Sequence, residues 1–343
     1  MAPVAYSQLG ERLEETIITG LMSRALANRN LLSLAAGFTD NETLPRELVS
    51  EAVAALLADG GDPGVLQYGT NAGYPRLRET IAARLCAEPQ ERPDAARADA
   101  VFVTNGSQQA LYLAMQTLCD PGDLVLVERP SYFVYLEMLR GLGIEAVEMP
   151  TTAEGALDLN GLEGLIDELK SSGRLPRLKA VYLQGYFANP SSRSLSRAEK
   201  AGLAERLATR GLRLPLIEDA AYRQLYYREP CPVPSLLSLP EADGFPVLYL
   251  GTLTKPFASG LKVGYGICNH HAWREKMLGI KGHHDFGTAN FPQRIFDWVL
   301  YEGRLDPYLD GLRRHYAHKA ELLQATFASA GLREAGWSWT PPE

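Results

Sequence analysis

Cysteine is scarce. Cys86, Cys119, Cys231 and Cys268 stand far apart and form no C-x-x-C pair. With six histidines they offer no zinc-ligand spacing, so reduced thiols in a cytoplasmic protein are expected, with no metal. No block of Lys or Arg occurs: 34 basic residues face 41 acidic ones, for a net charge of −7, which argues against a nucleic-acid partner. No apolar run approaches the ~20 residues of a membrane helix. At the N-terminus Glu11, Arg12, Glu14 and Glu15 interrupt the helically spaced Leu9, Leu13, Ile17 and Leu21, which excludes a secretory pattern. There is no internal repeat and no low-complexity segment. What is left is a globular chain of 343 residues, 46% hydrophobic, long enough for one large domain and a smaller one.

The middle of the chain alternates short apolar runs with helical periodicity. Strands are expected at Val101, Leu124–Val127, Ile144–Met149, Ala180–Leu183, Leu214–Ile217, Val247–Leu250 and Val263–Cys268. Continuous apolar runs suit strands covered on both faces, so the predicted fold class is α/β, a mainly parallel seven-stranded sheet sandwiched by helices. An amphipathic helix is expected from about Ser7 to Ala27, then a short strand and a polar loop within Leu31 to Pro45. The C-terminal part reads as a helix over Phe291–Tyr301, a long second helix from Leu305, and the possible start of a strand at Trp337–Thr340.

Between the last two expected strands lies Gly251–Gly266, GTLTKPFASGLKVGYG. Lys255 sits just beyond a strand, Lys262 follows seven residues later, and Thr252, Thr254 and Ser259 supply hydroxyls. A lysine of lowered pKa at a strand end can attack a carbonyl as an amine; a lone lysine in a loop is more often a solvated side chain.

Ligands of such sheets bind beyond the carboxyl ends of the strands. Asn105-Gly106-Ser107-Gln108 opens a helix and offers free N–H groups for an anion, or plain N-capping. Tyr132 follows the second strand, Tyr186 and Asn189 the fourth, and Glu218-Asp219 with Tyr222 the fifth. A phosphate cup, an aromatic plate, hydrogen-bonding Asn and Tyr, a carboxylate and a lysine together match the needs of pyridoxal 5'-phosphate (PLP).

The order of these blocks resembles the class I/II aminotransferases of PLP fold type I, particularly the 2-aminoadipate and kynurenine aminotransferase branch. Leu66–Arg78, Gly106–Leu111, Ile217–Asp219 and Gly251–Gly266 carry the resemblance. It implies a homodimeric transferase moving an amino group between an L-amino acid and a 2-oxo acid, with 2-oxoglutarate the expected acceptor. It implies that Lys255 forms the Schiff base with PLP and shuttles the proton, that Asp219 pairs with the pyridine nitrogen, and that Tyr132 stacks on the ring. Asn189 and Tyr222 would bond the ring oxygen, and Ser107, Gln108, Thr252 and Lys262 the phosphate. Tyr68 would reach the phosphate of the partner subunit, and Gly37 would line the substrate carboxylate side. The implied division is an N-terminal arm over 1–45, a PLP-binding large domain over 46–290, and linking helices over 291–343 that begin an incomplete small domain. This sequence departs from the pattern at Lys262, where Arg is usual, and at Ser191-Ser192 and Ala220-Ala221. No residue matches the arginine that clamps the substrate carboxylate in the family's C-terminal small-domain sheet, so a truncated end, or another clamp such as Arg24, is expected. The alternatives at the same cofactor are decarboxylation or oxidation of an amino acid, and a cofactor-binding protein without turnover.

Overall fold

The computed structural model describes residues 4–13, 17–28, 30–31, 37 and 39–342. Seven strands form one sheet in the order β1-β7-β6-β5-β4-β2-β3. They are β1 (Val101–Asn105), β2 (Leu124–Val127), β3 (Glu145–Glu148), β4 (Leu178–Gln184), β5 (Leu216–Asp219), β6 (Val247–Thr252) and β7 (Val263–Cys268). β7 runs antiparallel to both neighbours, and the remaining pairs are parallel. β2, β5 and β6 are buried along their whole length, as expected of strands covered on both faces. β5 begins two residues later than expected. Its predecessor Pro215 has no N–H to give to the ladder.

Two apolar clusters cover the sheet. One gathers α3 (Arg46–Leu56), α4 (Pro75–Cys86), α7 (Leu159–Ser171), α8 (Arg197–Thr209), α10 (Asn290–Tyr301) and the start of α11 (Leu305–Ser329). The other is built on α5 (Gly106–Leu118), α6 (Phe133–Leu142) and α9 (His271–His284). α9 is absent from the sequence reading. Its strip HAWREKMLGIKGHH buries only Trp273, Met277 and Lys281, a stripe one residue wide at four-residue spacing.

At the N-terminus two helices, α1 (Gln8–Arg12) and α2 (Ile17–Ala27), replace the single expected one. α1 ends at Leu13, which is extended. There Arg12 Nε donates to Gly141 O at 3.2 Å, and Leu13 occupies the space a Cβ at Gly141 would need. Docking onto α6 (tertiary packing) overrides the local periodicity. The expected strand within Leu31 to Pro45 falls mostly on residues 32–36 and 38, outside the described residues. Trp337–Thr340 forms no strand. Trp339 instead packs edge-on against Phe327 at 5.2 Å and donates Nε1–H to Gln324 at 2.5 Å, which folds the segment back along α11.

Candidate active site

Strands β4, β5 and β6 end side by side, and the residues just past them face one cavity of about 140 Å³. It is lined by Ser107, Gln108, Tyr132, Asp219, Thr252 and Lys255, with Tyr222 and Lys262. Eight of the residues singled out from sequence therefore converge. Asn189 and Gly37 line an adjoining cavity of about 340 Å³, which shares Tyr222 and Lys255 with the first. Tyr68 lines neither cavity. It is exposed and meets Phe286 edge-on at 6.0 Å.

Period-two alternation along β5 separates two adjacent carboxylates. Glu218 points into the core, 2.6 Å from Lys200 Nζ, both side chains fully buried, and accepts from Leu236 N. Asp219 points to the cavity. It accepts from Tyr182 O–H at 3.0 Å and from Ala221 N at 3.0 Å. Burial raises its pKa, against those two hydrogen bonds and the charge of Lys255. A cation brought beside it would reverse that balance. Tyr182, on neighbouring β4, was missed by sequence reasoning. Its register partner Ile217 places it one strand over from Asp219, but only the sheet order reveals the meeting.

Lys255 is held in the tight loop after β6. Thr254 N donates to Thr252 Oγ1 at 3.0 Å, and the Thr254 hydroxyl reaches Val263 O at 3.3 Å, which ties the loop to β7. Burial lowers the pKa of the lysine, and the charge of Asp219 opposes the shift. Its Nζ lies 5.9 Å from the centre of the Tyr222 ring. The phenol of Tyr222 has its pKa raised by burial and by Asp219, while a hydrogen bond with Asn189 works the other way. Asn189 is fixed by a reciprocal pair: its N–H donates to Gln184 Oε1 at 2.9 Å, and Gln184 Nε2 donates to Asn189 O at 3.0 Å.

The opening of α5 supplies an anion site. Among the described residues no side chain caps this helix, so the N–H groups of its first turn stay available as donors. The Asn105 amide instead turns to Asp285, at 3.1 Å. A Cβ at Gly264 would lie 2.3 Å from Ser107 N, so glycine there lets the helix start press against β7. Lys262 follows in the left-handed region at φ 56°, exposed at the same cavity. Tyr132 precedes α6 and its hydroxyl lies 3.5 Å from Gln108 Oε1.

Uncapped helix N–H groups with a lysine, a buried carboxylate, a flanking tyrosine and a second, partly buried lysine form a donor set that fits the phosphate, ring nitrogen and carbonyl of pyridoxal phosphate. Arg24 is exposed on α2 and lines neither cavity. Arg313 of α11, which sequence reasoning overlooked, lines the larger one. Nothing in its local sequence marks it, since the helix face it occupies is fixed by packing.

The model of the family described as aminotransferase class I and II matches residues 29–343. A 2-aminoadipate transaminase of Thermus thermophilus is 31% identical over 94% of this chain and 77% of its own length. The solved kynurenine aminotransferase of Pyrococcus horikoshii superposes with a TM-score of 0.82 at 26% identity, over 94% of this chain and 76% of that one. An archaeal alanine:glyoxylate aminotransferase superposes at 0.85 with 27% identity, over 98% and 80%. The chain thus belongs to the class I and II aminotransferases, PLP-dependent enzymes of fold type I that move amino groups between amino acids and 2-oxo acids through a Schiff base.

Proposed function

We propose that Lys255 is the amine that takes the PLP carbonyl and that 2-oxoglutarate is the amino acceptor. The observation that carries the reading is the convergence of Lys255, Asp219 and the uncapped start of α5 on one cavity. When bound, PLP supplies an electron-withdrawing ring and a carbonyl that condenses with amines. Asp219 holds positive charge at the ring nitrogen, oriented by Tyr182 and Ala221 N. Lys255, its pKa lowered by burial, takes and returns the proton at its Nζ. Ser107, Gln108, Thr252 and Lys262 bind the phosphate. Asn189 and Tyr222 bind the ring oxygen, Tyr132 covers the ring face, and Gly37 borders the substrate.

The donor is an amino acid of the kind used by the 2-aminoadipate and kynurenine branch. The protein acts in the cytoplasm as a homodimer, with Tyr68 serving the partner's site. Its exposure supports that reading, as do the exposed apolar side chains Leu21, Met22, Leu26, Leu66 and Phe286. Among the described residues no helix is long and apolar enough to cross a membrane. Residues 46–290 form the PLP-binding domain, with 1–45 as an arm and 291–343 as linking helices.

Borohydride reduction of the PLP-loaded protein, followed by peptide mapping, should place the label on Lys255; a label on Lys262 would overturn the assignment. Amino donors with 2-oxoglutarate should then yield glutamate. Loading without any turnover would favour a binding protein, and release of carbon dioxide a decarboxylase.

A further inference from the structure

The larger cavity has an uneven charge. Among its described lining residues Lys255 and Arg313 are cations, and none is Asp or Glu. Lys255 belongs to the part shared with the cofactor-side cavity. Arg313 lines only the unshared part, beside Tyr226, Tyr227 and Leu225.

Arg313 is held in place yet incompletely used. Its Nε donates to Gln224 O at 2.8 Å, and the guanidinium carbon lies 4.1 Å over the Tyr226 ring. Nη1 donates to Asp310 at 3.0 Å, and Nη2 has no partner among the described residues. The Arg313 side chain is 17% exposed, whereas that of Asp310 is 59% exposed. Such a solvent-screened pair contributes little and exchanges readily. A carboxylate entering the cavity can therefore take the Nη1–Nη2 end of the fork in place of Asp310.

We infer that Arg313 binds the second, side-chain carboxylate of a dicarboxylic amino acid or 2-oxo acid. The inference rests on Lys255 as the reacting amine and deepens that reading by naming the side chain that selects the dicarboxylic class to which 2-oxoglutarate belongs. The reacting α-carbon must lie against Lys255 Nζ, and its own carboxylate, one bond away, stays in the part bounded by the shared Lys255 and Tyr222. A group that reaches Arg313 has to extend out of the shared part into the part that Leu225, Tyr226 and Tyr227 line, which suits a methylene spacer ending in a charge.

The test uses the PLP-loaded protein and two unreactive acids with equal carbon count, glutarate and pentanoate, titrated by cofactor absorbance and by calorimetry. Glutarate should bind about tenfold more tightly. Arg313→Met should erase that preference while leaving pentanoate within about twofold, and Arg313→Lys should keep part of it, since charge survives without the fork. Asp310→Asn removes the competing carboxylate from an exposed position and should strengthen glutarate binding about two- to threefold. Equal weakening of both acids in Arg313→Met, or an unchanged preference, overturns the proposal. If that variant loads no cofactor, Asp310→Asn decides, and no gain in glutarate affinity overturns it. Attachment to Lys255 is read separately by reduction and mapping, and calorimetry reports acid binding whichever lysine is labelled.

Discussion

The two cavities meet at Lys255 and Tyr222 but are built differently. The smaller is assembled from strand ends and one helix start, each a short block contiguous in sequence and anchored to a buried sheet. The larger draws on Gly37 and Thr39, on loops 187–192 and 225–227, on α11 and on Pro342, segments spread over most of the chain. A sheet edge fixes its groups through backbone register, so the chemistry of the first cavity tolerates little change. Loops and a helix face fix the second through side-chain packing, which can vary while the fold holds. Catalysis and specificity should therefore respond to separate sets of substitutions.

The sharpest way to break that separation is Lys255→Ala. Removal of the proton-transfer group should lower kcat about 10²–10⁴-fold while PLP still binds at α5, as measured by steady-state assay and equilibrium dialysis. If Lys255→Ala kept more than a tenth of the activity, the smaller cavity would not house the chemistry. Next come the adjacent acids of β5. Asp219→Asn should lower kcat about 10²-fold or more at nearly unchanged melting temperature, because a neutral amide cannot hold charge at the ring nitrogen. Lys200→Met, which strands the buried Glu218 carboxylate, should instead cost about 3–5 kcal/mol in denaturant unfolding. The cofactor spectrum of the surviving folded protein should be unaltered. Swapped outcomes would mean that the two carboxylates had been assigned to the wrong faces.

Much of the first cavity was legible because its signals are local. A run such as Val247–Leu250 announces a buried strand, and the residues after it lie at the sheet's carboxyl edge whatever the strand order. Lys255, Asp219, Tyr132 and Ser107 all follow from that rule. Tyr182 did not, since its partnership with Asp219 depends on β4 and β5 being neighbours. Arg313 did not because α11 is amphipathic over only part of its length, so its buried face is set by what packs there. The same reason hid α9, whose three buried side chains are outnumbered by polar ones. At the N-terminus periodicity misled, since Leu9, Leu13, Ile17 and Leu21 satisfy helical spacing while Leu13 leaves the helix to fill the space beside Gly141.

A finer probe of the smaller cavity is Tyr182→Phe. The phenol donates to Asp219, which favours the ionised carboxyl against the burial that raises its pKa. Without that bond Asp219 should protonate at higher pH. The acid limb of the kcat profile should move up in pH, and kcat at neutral pH should fall about three- to tenfold. KM for the acids should be unchanged, because Tyr182 lines neither cavity. A change in KM alone would couple the two cavities through β4.

The smallest effect is expected in the cofactor-free protein, where Lys255 carries a folding penalty instead of a chemical task. Burial lowers its pKa below the ordinary 10.5. Between the lowered value and 10.5 the unfolded chain therefore binds more protons than the folded one, and stability rises with pH across that window. Below the lowered pKa the lysine is charged in both states and the cost of burying it is present in full. Above 10.5 it is neutral in both and the cost vanishes. Lys255→Met should accordingly make the cofactor-free protein more stable than the parent at pH 7, and the difference should close as pH approaches 10.5. Since the tyrosines that titrate in the same range are common to both proteins, the difference between the two unfolding curves isolates the lysine. A difference that held constant with pH would come from the packing of the methionine and not from charge. One that widened with pH would mean that the partners Tyr316 and Asp219, which favour the ammonium, outweigh burial, leaving a lysine charged in the resting site and poorly placed to accept a proton.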